Sequence, residues 1–457
     1  MVEFISRRYK VPGGYLEFLK ISVPLIISTS IGAFQLFLNR TFLSWYSKES
    51  FAASFPAGVT QWAIMSLFIG TFAYVDVFVA QYYGKKEYHS IGPAVWQAVY
   101  LSFIASLFVL AISFFAKHFF MILGHPANVA INEGDFFRVL CYGAFGQISC
   151  AALAGFYAGR GKTKVILFVG SIGVLINTFL DYCFIFGKFG FPEEGIIGAA
   201  VANNITSFIM ATLYVILILA PKNRENFNTA CFKVDLNFMR RLCRFGFPNG
   251  AQFFCDMAGF GIFLLILGTL GIEELTANNI ALNINHLIIM PLIGCGIATS
   301  VMVGKYLGEN KASIARISVL LSYQVVLVYS GVIAVILATF PDLLILPFSS
   351  GAGADMIEKI RPITVHLLRL LAIYLLFDGT NIIFSAAIKG AGDTVFVMKV
   401  LVILSVLLVI IPTYLIVVVF KMGLLTAWSF MLSYVIGLAI SFYLRYRTGK
   451  WKKMRVI

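Results

Sequence analysis

Asp256 lies in the middle of Arg244–Gly268 (RFGFPNGAQFFCDMAGFGIFLLILG), a stretch that is almost wholly apolar and long enough to span a bilayer. A carboxylate at the centre of a membrane helix costs about 2.5–3.5 kcal/mol on insertion scales. The surrounding Phe, Leu and Ile residues offset that cost but do not account for the acid. Such a group faces a water-filled cavity or an ion path, or else it is a protonated acid bonded to a neighbouring helix. A second acid, Asp378, sits in LLRLLAIYLLFDGTNIIFSAAIKG. It is about twelve residues from one end of its run, or ~18 Å at helical rise, and so at a similar depth. Two carboxylates at one depth can bind Na⁺, or share a proton because like charges at close range resist joint ionisation. Tyr374 precedes Asp378 by four residues on the same helix face and adds a phenolic oxygen. Asp256, Asp378 and Tyr374 therefore read as a cation-coupling site, with the two carboxylates as metal ligands if the ion is Na⁺. Buried structural polar groups are the competing reading.

Other polar residues inside apolar runs are candidates for lining a cavity or binding substrate. Asp181 lies near the end of its run, with Asn177 one turn before it. Asn39 and Arg40 come late in the first run, where Arg40 can snorkel to the interface. Asn279, Asn283, Asn285 and His286 cluster together; Asn279, Asn283 and His286 share a face, which can glue helices or line a cavity. His366 and Arg369 open the run that holds Asp378 and are expected near a surface, and Asp76 is expected at a solvated or Lys-paired helix end. No catalytic or nucleotide signature stands out, so no enzyme is expected. GRGKT at 159–163 lacks the spacing of a phosphate loop, and its counterpart GAGDT at 390–394 has no lysine; both read as glycine turns. No cofactor is expected beyond a coupling ion, Na⁺ or H⁺, and transport would be driven by an ion gradient.

The elements that must position these residues are helices in a membrane. The chain is 60% hydrophobic and 12% charged, with a mean hydropathy of +0.90, which excludes a soluble globule. Twelve apolar segments are expected at about 17–45, 53–81, 91–117, 136–158, 164–187, 196–220, 240–269, 276–304, 314–340, 359–388, 395–420 and 424–445. Seven cysteines lie mainly in or beside these runs without a CxxC and read as reduced packing residues. The net charge of +14 is mostly topology and not a nucleic-acid signal. With twelve spans, one side receives most of the basic residues, from Arg7, Arg8 and Lys10 through Lys85, Lys86, Arg160 and the 222–244 cluster to the tail at 445–455. The other side receives Lys48, Lys117, Lys188, Lys359, Arg361 and Lys421. The excess places both termini in the cytoplasm, with the tail against anionic lipid heads.

One polar linker, 221–238, divides the chain into 1–225 and 226–457, read as two six-helix lobes with a basic tail on the second. The halves repeat. At an offset of 224, Pro24 falls on Pro248, Glu49 on Glu273, Ala53 on Ala277 and Gly70 on Gly294, and Gln81-Tyr82-Tyr83-Gly84 falls on Lys305-Tyr306-Leu307-Gly308. A repeat after six spans keeps its membrane orientation, as in transporters built from parallel duplicated bundles. The fold class is all-α membrane protein, with twelve helices in two pseudo-symmetric six-helix bundles.

These residues carry a resemblance. FGFPNGAQFFCDMAGF at 245–260, NIALNINHLIIMPLIGCGIATSVMVGKYLGENK at 279–311, LLAIYLLFDGTNIIFSAAIKGAGDT at 370–394 and NTFLDYCFIFGKFGFPEEGIIGAAVAN at 177–203 resemble the multidrug and toxic compound extrusion (MATE) transporters, nearest the NorM-like branch, over nearly the whole chain. The resemblance implies a V-shaped, two-lobed, MATE-like antiporter of a bacterial inner membrane that expels organic cations and drugs in exchange for Na⁺ or H⁺. Its substrate would be a small cationic or amphiphilic molecule, its other partners membrane lipids, and its state a monomer. It places Asp256 at a span-seven acid that is usually Glu, Asp378 at a span-ten Asp, and Tyr374 one turn before it. The chain departs from the family where an Asp is common late in span one: Leu38-Asn39-Arg40-Thr41 stand there instead. Asn39 cannot titrate, so coupling is expected mainly in the second lobe. An exporter or flippase of lipid-linked or anionic metabolites on the same fold is the nearest alternative, favoured by Arg40, and a non-transporting receptor or scaffold is more remote.

Overall fold

The computed structural model describes residues 8–122, 127–348 and 354–457, and among these there are helices and turns but no strand. Arg7 lies outside the described residues, as do the side chains of Lys48, Glu49 and Ala53. Eleven helices are long and apolar enough to cross a membrane, and a twelfth span forms if a pair bent by 44° is counted as one. In chain order they are α1 (Tyr15–Tyr46), α2 (Pro56–Lys85), α3 (Tyr88–Ser113), the broken α4 (Ala130–Tyr142 with Ala144–Ala158), α5 (Thr163–Phe186) and α6 (Gly195–Ile218). The second series is α7 (Leu236–Leu267), α8 (Ile272–Gly308), α9 (Ala312–Thr339), α10 (Glu358–Ala391), α11 (Thr394–Val419) and α12 (Leu424–Arg447).

The chain forms two compact units. One comprises Ile27–Phe254, Gly304–Asn310 and Arg455–Ile457. Its core is built from large side chains with no exposure, among them Phe78, Phe156, Ile148, Met65 and Leu43. Phe78 packs edge-on against Phe238, with centroids 5.0 Å apart. The polar linker after α6 is fastened to α3. Trp96 Nε1 donates to the Thr229 carbonyl at 2.7 Å, Gln97 Nε2 to the Lys233 carbonyl at 2.7 Å, and Tyr100 to the Phe232 carbonyl at 2.9 Å. The segment contains a short helix, Pro221–Phe227, opened by its proline.

The break in α4 has a specific cause. At Gly143 the backbone N–H bonds to Leu140 rather than to Val139, so the Val139 carbonyl loses its helical donor. Asn204 of α6 supplies a replacement, its Nδ2 donating at 2.6 Å. A side chain sixty-five residues away thus stabilises the bend by satisfying a backbone acceptor that the break deprives of its helical donor.

The other unit comprises Cys255–Val303 and Lys311–Met454 together with the chain up to Ile26. Here α10 packs between α9 and α12. Phe384 of α10 lies 5.0 Å from Tyr446 and 5.1 Å from Tyr443 of α12. α11 is irregular: Ser405–Ile410 and Leu415–Val419 are π-helical turns on either side of Pro412, which cannot donate a backbone hydrogen bond.

Candidate functional site

The elements just described bring Asp256 and Asp378 to shared partners. Asp378 is 5% exposed in α10, deep in its unit. Its Oδ1 accepts a hydrogen bond from Asn381 Nδ2 at 3.1 Å, one turn on. Its Oδ2 is buried without a hydrogen-bond partner. Gly379, the next residue, lets α10 lie close to α9: a Cβ there would come within 2.8 Å of Val326 Cγ1 and 3.0 Å of Ser330 Oγ. Asp256 is half-buried in α7, and Tyr434 of α12 hydrogen-bonds to it. Both acids lie within electrostatic reach of Tyr374 and of Tyr434. Two carboxylates and two phenols therefore converge inside one unit.

An aromatic wall backs this group. Tyr374 meets Trp428 edge-on, with centroids 6.4 Å apart, and Trp428 meets Phe263 in the same way at 6.1 Å. Trp428 is anchored by its indole N–H, which donates to Asn278 Oδ1 at 2.9 Å. Asn278 is fully buried. The wall fixes the Tyr374 ring, and so the place from which its hydroxyl can act.

The donor set suits a hard monovalent cation or a proton: carboxylate, phenol and amide oxygens, without thiol or imidazole. Among the described residues no three His, Cys, Asp or Glu side chains cluster to hold a metal ion.

The other unit carries a second polar group. Asn39 Nδ2 donates to Asp181 Oδ2 at 3.3 Å, and Gln35 Nε2 donates to Asn177 Oδ1 at 2.8 Å. The two pairs are one turn apart on both α1 and α5, and both sequence numbers rise together. The helices therefore run in the same direction, in register. Asp181 and Asn177 are each 1% exposed, and Asp181 Oδ1 and Asn177 Nδ2 have no hydrogen-bond partner.

The remaining candidates lie elsewhere. Asn279, Asn283 and His286 are exposed on α8, and Asn283 Nδ2 bonds back to the Asn279 carbonyl at 2.8 Å. Asn285 is half-buried. His366 and Arg369 are exposed on α10, and Asp76 is half-buried in α2, two residues after an interruption of the helix at Tyr74. At 159–163, Arg160 turns inward: its Nε bonds the Phe156 carbonyl at 2.9 Å and its guanidinium lies 3.8 Å from the Phe156 ring centre. Burial draws that guanidinium down to about 10. The loop joins the end of α4 to the start of α5.

Tyr434, Asn381, Gln35 and the Trp428–Asn278 pair are additions to the residues read from sequence. Gln35 and Asn381 were within reach, since they stand four residues before Asn39 and three after Asp378, on the same helix faces. Tyr434 and Trp428 carried no such signal.

Known proteins bear on this arrangement. The MatE family model matches residues 24–183 and 248–415, one block in each half. A probable multidrug resistance protein NorM from Thermotoga maritima is 26% identical over 456 residues, covering 98% of this chain and 95% of that protein. The multidrug resistance protein NorM of Vibrio cholerae is 25% identical over 390 residues, covering 84% and 83%. Among solved structures, the eukaryotic MATE transporter AtDTX14 superposes with a TM-score of 0.86 at 18% identity, covering 98% of this chain and 97% of that one. Matched through most of both repeats, and sharing its fold with solved MATE transporters, the chain belongs to the MatE family.

Proposed function

We propose that this MATE transporter is a secondary active multidrug exporter, working as a monomer in a bacterial inner membrane with both termini in the cytoplasm. It expels organic cations and other amphiphilic molecules in antiport with Na⁺ or H⁺. The relatives named above as multidrug resistance proteins support the substrate class, and the excess of basic residues on one side supports the orientation. The observation that carries the reading is the convergence of Asp256, Asp378, Tyr374 and Tyr434, with one Asp378 oxygen unpartnered.

Ionised, the two carboxylates attract a cation. Asn381 orients Asp378, Tyr434 orients Asp256, and Tyr374 adds a third oxygen from a ring held by Trp428. A coupling ion at these oxygens neutralises the charge that would also attract a cationic drug. Binding of one therefore weakens binding of the other, which is what exchange requires. Asn39 and Asp181 form a second polar site that hydrogen-bonds without a second titrating acid.

The test is efflux of a fluorescent lipophilic cation from proteoliposomes under separate Na⁺ and H⁺ gradients, for the wild type, Asp256→Asn and Asp378→Asn. Flux driven by one gradient and lost in both variants is expected, and it identifies the ion. Flux that persists in both variants overturns the coupling role of the acids. No wild-type flux under either gradient turns the reading toward an anionic or lipid-linked substrate.

A further inference from the structure

At the end of the bundle where α2 and α8 finish, two repeat-related glycines meet two repeat-related carbonyls. A Cβ on Gly84 would collide with the Lys305 carbonyl and come within 3.1 Å of the Glu309 nitrogen. A Cβ on Gly308 would collide with the Gln81 carbonyl and come within 3.0 Å of the Gln81 Cα. Gly84 and Gly308 are counterparts at the offset of 224, and so are Gln81 and Lys305. The contact is therefore reciprocal, glycine against backbone in both directions.

Such a seam is close. Backbones touch there, and the glycines themselves contribute no side chain to interlock with the other helix. The C-terminal tail bonds both sides of it. Arg455 Nη2 donates to Asn310 Oδ1 at 3.3 Å, just beyond the end of α8. The next backbone N–H, that of Val456, donates to Gln81 Oε1 of α2 at 2.9 Å. Consecutive tail residues thus bond the two sides of the seam. Val456 is 2% exposed and belongs to the same core cluster as Phe78, Tyr82 and Phe238, and Ile457 packs against that cluster. The approach of the tail is also fixed. Trp451 folds back on Tyr446, rings stacked at 5.0 Å, with its Nε1 donating to the Tyr446 carbonyl at 3.0 Å.

We propose that Arg455 and Val456 form a latch that fastens the reciprocal glycine seam between the ends of α2 and α8, and that this latch must undock before that end of the transporter opens. The idea rests on the transport reading for its purpose, since a carrier that opens to each side in turn must part a seam at each end. The contacts themselves do not depend on it.

Hydrogen–deuterium exchange of the full-length protein in detergent, followed by mass spectrometry, tests the latch without a transport assay. Arg455→Ala and Val456→Gly release the tail, and Gly308→Ala props the seam apart with the tail residues unchanged. Peptides covering 76–86 and 303–310 are expected to exchange about five- to tenfold faster in all three variants, through loss of one hydrogen bond of ordinary net strength in Arg455→Ala, of a buried valine side chain in Val456→Gly, and of the close backbone approach in Gly308→Ala. Peptides around Asp378 are expected to keep the wild-type rate. Wild-type rates at 76–86 and 303–310 in the tail variants overturn the latch. So does a uniform acceleration that includes 370–385, which marks general loss of stability. Wild-type flux of the cation in liposomes is measured separately: its absence refutes the cation-export reading, and the exchange result still decides the latch.

Discussion

Asp378 has one oxygen supported by Asn381 and the other buried without a donor. Asp256 gains its support from another helix, through the Tyr434 hydroxyl. A hydrogen bond to a charged group contributes about 1.5–3 kcal/mol, so Tyr434→Phe is expected to shift coupling-ion affinity by about ten- to a hundredfold, upward for H⁺ because the lost donor favoured the ionised carboxylate, and downward for Na⁺ because the carboxylate loses its orienting partner. The check is the ion concentration that half-saturates drug efflux; a value within about twofold of wild type removes Tyr434 from the site. Asn39 offers a second test. Asn39→Leu removes the hydrogen bond to Asp181 and leaves a buried acid with one fewer partner, which is expected to lower stability by about 1–3 kcal/mol. A thermal melt in detergent reads this as a lower midpoint, and an unchanged midpoint means that the 3.3 Å contact contributes little. Asp256, Asp378 and Tyr374 were legible because an acid in an apolar run is costly enough to stand out, and helix spacing adds the tyrosine. Tyr434 was not legible. It is one of twenty tyrosines, and whether it faces the acids depends on how α12 is rotated against α7, which no local pattern records.

At the scale of elements, the apolar runs marked the helices well and their irregularities poorly. The α-helical part of α3 starts at Ile91, as expected, after a 3-10 turn at Tyr88–Ser90, whereas α7 starts at Leu236, a few residues before its apolar run, because polar residues continue a helix until its hydrogen bonds find another end. The 44° break in α4 had no expectation behind it. Gly143 permits the bend, but the determinant is Asn204, which is distant in sequence and satisfies the freed Val139 carbonyl. Asn204→Leu is therefore expected to cost about 1–3 kcal/mol, by taking from that carbonyl the donor that replaces its helical one. Melting of the purified variant checks the magnitude, and faster amide exchange confined to 136–146 places it at the break. Normal exchange there would mean that the bend is set by Gly143 alone. The π-helical turns of α11 escaped in the same way, since Val, Leu and Ile runs read identically whether the ladder is α or π.

For the whole molecule, the sequence is most informative about duplication and charge. The offset of 224 pairs Gly84 with Gly308 and Gln81 with Lys305, and the structure turns this periodicity into contacts that are reciprocal in space. Orientation rests on charge alone, because a bundle of helices carries no mark of which end faces the cytoplasm other than its basic residues. Chemistry supplies an independent reporter. All seven cysteines are free. Six lie within α4, α5, α7 and α8, whereas Cys231 is half-buried in the linker that follows α6. That linker carries Lys222, Arg224 and Lys233, so the charge rule puts it in the cytoplasm. A membrane-impermeant maleimide is expected to label Cys231 in inverted vesicles and not in intact cells. Cys231→Ser identifies the labelled thiol, and partial denaturation shows that it is reactive in both preparations once access is equal. Labelling of Cys231 in intact cells would place the linker outside, and both termini with it, because six spans separate the linker from each end. Every basic cluster counted as cytoplasmic would then face the wrong way, so a single thiol decides the orientation of the entire chain.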